Sequence, residues 1–144
     1  MKDAKFYIED GGAFGEHTAV IHSLGTLNWK IYDCITTKHT TNEVIITEEQ
    51  VIHIRERHPE AYSDILVYIK DILSDPDYIF RDKRPNTGLV VKKMVNGENS
   101  LLVLKIMTPE DQKEYKNSVI TSWKITEKRL NNYLRNKDVI YKKE

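Results

Sequence analysis

The sequence predicts an α+β fold, with N-terminal helices packed on an antiparallel β-sheet of four strands or more. Three observations lead there. Residues 47–74 carry apolar positions at helical spacing, whereas Tyr78–Arg81, Gly88–Val95, Ser100–Met107 and Ser118–Ile125 are strand-like runs. Asn96-Gly97, between the second and third runs, is a hairpin signal, so those two strands should pair antiparallel. With 144 residues, 40% hydrophobic and 31% charged, the chain has the size and balance of one globular domain with a single core.

Before Thr47 the pattern is weak. Lys5–Glu9 and Asn28–Thr36 have strand-like content, Glu43–Thr47 is a short apolar run, and Gly11, Gly12, Gly15 and Gly25 punctuate them. GGAFGE reads as a turn, because it lacks the lysine and the strand–helix flanks of a phosphate loop. Thr47, followed by Glu48, Glu49 and Gln50, is a helix start: a hydroxyl to cap, acids in the first turn and a glutamine three residues on. Pro59 ends this helix, since the residue before a proline is pushed out of helical geometry. Val51, Ile54 and His58 fall on one side of it, while Glu49, His53 and Arg57 recur every four residues on a solvent-facing stripe. Glu60–Ser74 is a second helix with Ile65, Leu66, Ile69, Ile72 and Leu73 as its apolar stripe, ended by Asp75-Pro76-Asp77. In the third strand Leu102, Leu104 and Ile106 form an apolar face for the helices, which leaves Lys105 on the open face. Parity does not place Lys92, Lys93 or the mixed faces of the fourth strand. Thr108–Lys116 is a polar connection, Glu127–Arg135 a short helix and Val139–Tyr141 a last strand.

Composition removes several classes of function. No run approaches the roughly 18 apolar residues that cross a bilayer, and MKDAKFYIEDGG lacks the apolar stretch of a secretion signal. A cytoplasmic protein without membrane association is expected. Cys34 stands alone, which excludes a disulfide framework and a cysteine metal cluster. The net charge of zero conceals a split: residues 1–80 hold 7 Lys/Arg against 14 Asp/Glu, and residues 81–144 hold 15 against 8. A basic C-terminal half fits a polyanion surface; the alternative is that the two halves neutralise each other on folding.

A helix bearing His and Arg beside a sheet bearing Lys, Thr and Trp suits metal-free phosphodiester chemistry. Imidazole transfers protons near neutral pH, Arg and Lys stabilise a pentacoordinate phosphate, and an indole stacks on a base. RNA supplies its own nucleophile in the 2′-hydroxyl. Each residue also has a plainer reading: His58 and Trp123 as core, Arg57 as a surface partner of Glu49 or Glu56, the lysines as solvated strand residues. His53 and His58 are five apart where a helical zinc pair needs four, so no metal site is expected. His17, His22 and His39 have no company that singles them out.

The strings VIITEEQVIHIRERHPEAYSDILVYIKDILSDPDYIF, KRPNTGLVVKK and YKNSVITSWKITEKRLNNYLRNKDVIYKKE resemble the phage-associated barnase–EndoU–colicin–RelE-like (BECR-fold) nucleases, from about Gly25 to Glu144. HIRERHPE, DPDYI, and NSVITSW followed by LRNK and VIY carry the likeness. It implies helices on a four-stranded antiparallel sheet and a setting in prophages or mobile elements, with a toxin-like role. It also implies metal-independent RNA cleavage leaving a 2′,3′-cyclic phosphate, without a cofactor. RNA, tRNA included, and an inhibitor or phage protein are the implied partners. Carried over residue by residue, the HxxxRHP block falls on His53, Arg57 and His58, the basic strand positions on Lys92 and Lys105, and the hydroxyl on Thr121. Thr121-Ser122-Trp123 resembles the Ser-x-Trp of a tRNA-cleaving colicin, with threonine for serine. Residues 1–24 lie outside the likeness, as an extension of a single domain spanning 1–144. The expected activity is that of an endoribonuclease. In it His53 or His58 is base or acid, Arg57, Lys92 and Lys105 stabilise phosphate, Thr121 binds a phosphate oxygen, and Lys93, Trp123 and Lys124 contact RNA. The alternative is a non-catalytic module of a phage or mobile element that binds nucleic acid or protein.

Overall fold

The computed structural model describes residues 8–10, 20–94, 98–112 and 115–144. The GGAFGE stretch, His17 and Asn96-Gly97 lie outside the described residues. Among those described, the elements run β1 (Ile8–Asp10), β2 (Val20–Thr26), α1 (Trp29–Tyr32), β3 (Glu43–Thr47), α2 (Glu48–Arg57), α3 (Pro59–Ser74), β4 (Tyr78–Arg81), β5 (Thr87–Lys93), β6 (Asn99–Lys105), β7 (Asn117–Ile125), α4 (Glu127–Asn136) and β8 (Val139–Lys142). The strands form one sheet of eight in the order β1-β2-β3-β7-β6-β5-β4-β8.

The α+β class stands, and the sheet, expected with four strands or more, has eight. β5 and β6 pair antiparallel, as the hairpin signal requires, with Lys92 opposite Ser100 and Lys93 opposite Asn99. One pairing is parallel: β3 meets β7 at Val44–Asn117 and Ile45–Ser118. That short contact joins the N-terminal meander β1-β2-β3 to the rest. Asn117 clasps it. Its amide, fully buried, donates to the carbonyls of Thr41 (2.7 Å) and Glu43 (2.9 Å), and its Oδ1 accepts from the backbone N–H of Met107 (2.8 Å).

Two N-terminal expectations change. Val20–Thr26, unassigned by its sequence, is strand β2; its register against β3 shifts between Ser23 and Thr26, and Gly25 there has φ +94°. Glycine tolerates that left-handed backbone, so what looked like punctuation is a bulge inside a strand. Asn28–Thr36 is not a strand: the Asn28 side chain accepts from the Lys30 N–H (3.0 Å) and starts the single turn α1. From α1, Tyr32 is buried and donates its hydroxyl to the Leu73 carbonyl, 2.5 Å away, locking the turn onto α3.

Helices cover both faces rather than one. Ile54 of α2 and Ile65, Ile69 and Ile72 of α3 pack with Val90, Leu102, Leu104 and Ile106 on the first face. On the second, Leu130, Tyr133 and Leu134 of α4 pack against Phe80, Leu89, Val91, Leu101 and Val103. The face carrying Lys105 is therefore not open along its length. α2 begins as its sequence requires: Gln50 N–H donates to the Thr47 hydroxyl (3.2 Å), and Thr47 N–H donates to the Gln50 side-chain oxygen (3.0 Å). Because α2 follows β3 without a linker, this reciprocal cap also sets the direction in which the His53–His58 segment leaves the sheet. Thr47→Ala is expected to lower stability by about 1 kcal/mol. Urea unfolding should read this as a lower midpoint with an unchanged slope; an unshifted midpoint would mean the cap contributes nothing.

Candidate functional site

The parallel contact between β3 and β7 gives α2 and β7 a common origin. β7 has no strand partner on that side beyond Ser118, among the described residues, and α2 runs beside it. The ten residues of α2 extend about 15 Å, and β7 from Ser118 to Trp123 extends about 16 Å. The end of the helix therefore arrives level with Trp123. There the chain breaks: His58 closes α2 and Pro59 takes the first position of α3, where a missing N–H is no loss. The His58 ring lies 5.8 Å from the Trp123 ring and 6.3 Å from the His53 ring, centroid to centroid.

The His58 and Trp123 rings open onto a concavity of about 570 Å³ lined also by Glu60, Lys124, Thr126 and Arg129. His58 is half-buried, with Nδ1 3.9 Å from a Glu60 carboxylate oxygen. Lys124 bridges Glu98 (2.9 Å) and Asp64 (3.2 Å), and the hydrogen bond to Glu98 is the main reason its ammonium titrates above the ordinary lysine range. Thr126 caps α4 by accepting from the Arg129 N–H (3.1 Å). The N-terminal end of that helix, favourable to anions, thus forms one wall of the concavity. Arg129 is exposed and makes no ion pair among the described residues.

An imidazole pair, an indole, an anchored ammonium and an unpaired guanidinium at a helix start form an anion site with proton-transfer groups. The family described as phage-Barnase-EndoU-ColicinE5/D-RelE like nuclease3 matches residues 25–132. The chain belongs to this family. It is a phage-associated nuclease domain of the BECR type, and its substrate is accordingly a nucleic acid. No curated protein and no solved structure matches it. The match ends within α4, short of the Glu144 limit of the likeness read from the sequence. Among the described residues, no helix is long and apolar enough to cross a membrane.

The nuclease domain brings together only part of the set expected to carry chemistry. His58, Trp123 and Lys124 meet at the concavity, with the exposed His53 beside His58 but outside the lining. Arg57 is exposed on α2, one residue from His58, with no ion pair to Glu49 or Glu56. His58 is not a core residue, since a third of its side chain (34%) is exposed. Lys92 and Lys105 lie on opposite faces. Lys92 shares the α3 face with Ser100 and reaches the Asp75 carbonyl (2.8 Å) and carboxylate (3.2 Å). Lys105 stands on the other face, opposite Ser118 at the far end of β7, with Nζ donating to the Pro85 carbonyl at 3.3 Å. Lys93, on the α4 face, holds its ammonium 5.8 Å over the Tyr78 ring. Thr121 pairs with Val103 two residues from Trp123, and its hydroxyl is buried without a partner among the described residues.

Arg129 and Glu60 were not singled out by their sequence context. The available signal was the N-cap Thr126 directly after the TSW strand, which puts a residue three further on back beside Trp123. Thr121 gives a direct test of the buried hydroxyl. An unpaired buried hydroxyl carries a desolvation penalty of about 1–3 kcal/mol, so Thr121→Val should raise the melting temperature. A lower one would show that the hydroxyl has a stabilising partner in solution.

Proposed function

We propose that the domain is a metal-independent endoribonuclease whose reacting phosphate sits between His58 and Arg129. The observation that carries this reading is the His58 ring set against Trp123 at the mouth of a concavity walled by Arg129 and the start of α4. Bound there, the scissile phosphate would face the Arg129 guanidinium and the helix N-terminus, which stabilise the charge that grows as phosphorus becomes pentacoordinate. One imidazole takes the proton of the 2′-hydroxyl as its oxygen attacks phosphorus. The bond to the 5′-oxygen breaks, and a protonated imidazole supplies the proton that this oxygen needs. His58, which lines the concavity, and His53, 6.3 Å from it, are the pair for these two transfers. Trp123 holds the base next to the cut by stacking. The products are a 2′,3′-cyclic phosphate and a 5′-hydroxyl. The donor set supports chemistry without a metal ion, because Glu60 is the one carboxylate among the lining residues.

The separation of Lys92 from Lys105 favours a second reading, a nucleic-acid-binding module of a phage or mobile element without catalysis. The two are separated by RNA incubated with chelator and His58→Ala as comparator. The first reading expects cleavage in EDTA with cyclic phosphate ends, reduced about 100- to 10,000-fold in His58→Ala at an unchanged melting temperature. Cleavage restored only by added magnesium contradicts the mechanism. Salt-sensitive binding of RNA, tRNA among the substrates tried, with no cleavage of any, supports the second reading.

A further inference from the structure

Part of the basic charge of the C-terminal half is paired. Lys92 and Lys143 share Asp75 at 3.2 and 2.8 Å, Lys116 holds Glu43 at 2.6 Å, and Arg81 holds Asp138 at 3.2 Å. Lys83, Lys93, Lys105, Lys137 and Lys142 are also without an ion pair among the described residues, but helix α4 gathers such cations along one element. Lys128, Arg129 and Arg135 are exposed and form no ion pair among the described residues. Lys128, Asn132 and Arg135 stand at four- and three-residue spacing, so they form one stripe. The opposite side of the helix is held on the sheet by Leu130, Tyr133 and Leu134, which fixes the stripe toward solvent. These residues line a second concavity of about 420 Å³, and Arg129 is a wall of both this one and the His58 concavity.

A charged helix face is often only solvated. Here the continuity matters: a strand leaving the His58 concavity past Arg129 runs directly onto Asn132, Lys128 and Arg135. We infer that the α4 stripe is the track that holds single-stranded RNA flanking the reacting phosphate. Single strands are favoured because the half-buried Trp123 lines the same concavity as Arg129, and an indole stacks on unpaired bases. The ten residues of α4 span about 15 Å, enough for a few phosphates rather than a long duplex footprint. The inference rests on the proposed site at His58 but has its own readout.

The test compares wild type with the Lys128→Ala/Arg135→Ala variant, neither residue belonging to the reaction site. Binding of a labelled single-stranded RNA, made uncleavable by 2′-O-methyl groups, is titrated at several salt concentrations. Each lost phosphate contact on a single strand removes about 0.7 from the slope of log K against log salt. The variant should therefore lose about 1.4, bind the oligomer more weakly, and cut a dinucleotide at the wild-type rate. An unchanged slope and affinity overturns the track and leaves the reaction site standing. A reduced slope in a protein that cuts no RNA keeps the track and removes the catalytic reading. Equal loss of affinity for a perfect duplex overturns the single-strand assignment. Competition by poly-glutamate as strong as by RNA assigns the stripe to an acidic protein and overturns the inference.

Discussion

The candidate site depends on a two-residue parallel contact and the asparagine that clasps it. β3 touches β7 only at Val44–Asn117 and Ile45–Ser118, too little ladder to define a register firmly by itself. The Asn117 amide and carbonyl oxygen make three hydrogen bonds to backbone groups of two separate segments, all between 2.7 and 2.9 Å. In a fully buried setting each bond lost would leave a polar group unpaired, so the arrangement is all-or-none in character. Everything that reaches the concavity from the N-terminal side does so from this point: β3 runs into the Thr47 cap, the cap aims α2, and the end of α2 delivers His58 to Trp123.

Electrostatics divide the molecule in two. The acidic N-terminal half and the basic C-terminal half neutralise each other at Asp75, Asp64 and Glu43, which take lysines from the other half. Asp75 takes two, and hydrogen bonds from Lys143 and then Lys92 hold its carboxyl below the ordinary range. Within the basic C-terminal half, the strand lysines Lys92 and Lys124 are held by carboxylates, whereas Lys128, Arg129 and Arg135 of α4 have no ion pair among the described residues. A polyanion meets three such cations together on α4, at the border of the concavity.

What was legible in the sequence was local. Thr47 with Gln50 and the break at Pro59 are short-range chemistry, and both elements lie where those residues put them. The faces of the hairpin were not legible, because they turn on a single residue of register. A two-residue Asn96-Gly97 turn would set Lys92 opposite Leu101, on the same face as Lys105. Met94 N–H instead donates to the Glu98 carbonyl, Lys92 falls opposite Ser100, and the two lysines part to opposite faces. β2 escaped notice because Gly25 at φ +94° interrupts its alternation, and α1 because one capped turn of aromatic and β-branched residues has strand-like content. For Arg129 the Thr126 cap ties it to the end of β7, but that the end of α2 comes to the same place is long-range packing with no local signal.

The central claim is that phosphate binds between the α2–α3 junction and the start of α4. A crystal structure with a 2′-deoxy dinucleotide, which binds but lacks the attacking hydroxyl, measures this most directly. The account predicts the phosphate within hydrogen-bonding distance of the Arg129 guanidinium and the His58 imidazole, with a base against Trp123. A phosphate held at Lys105 and Pro85, or at Lys92 on the α3 face, would contradict it.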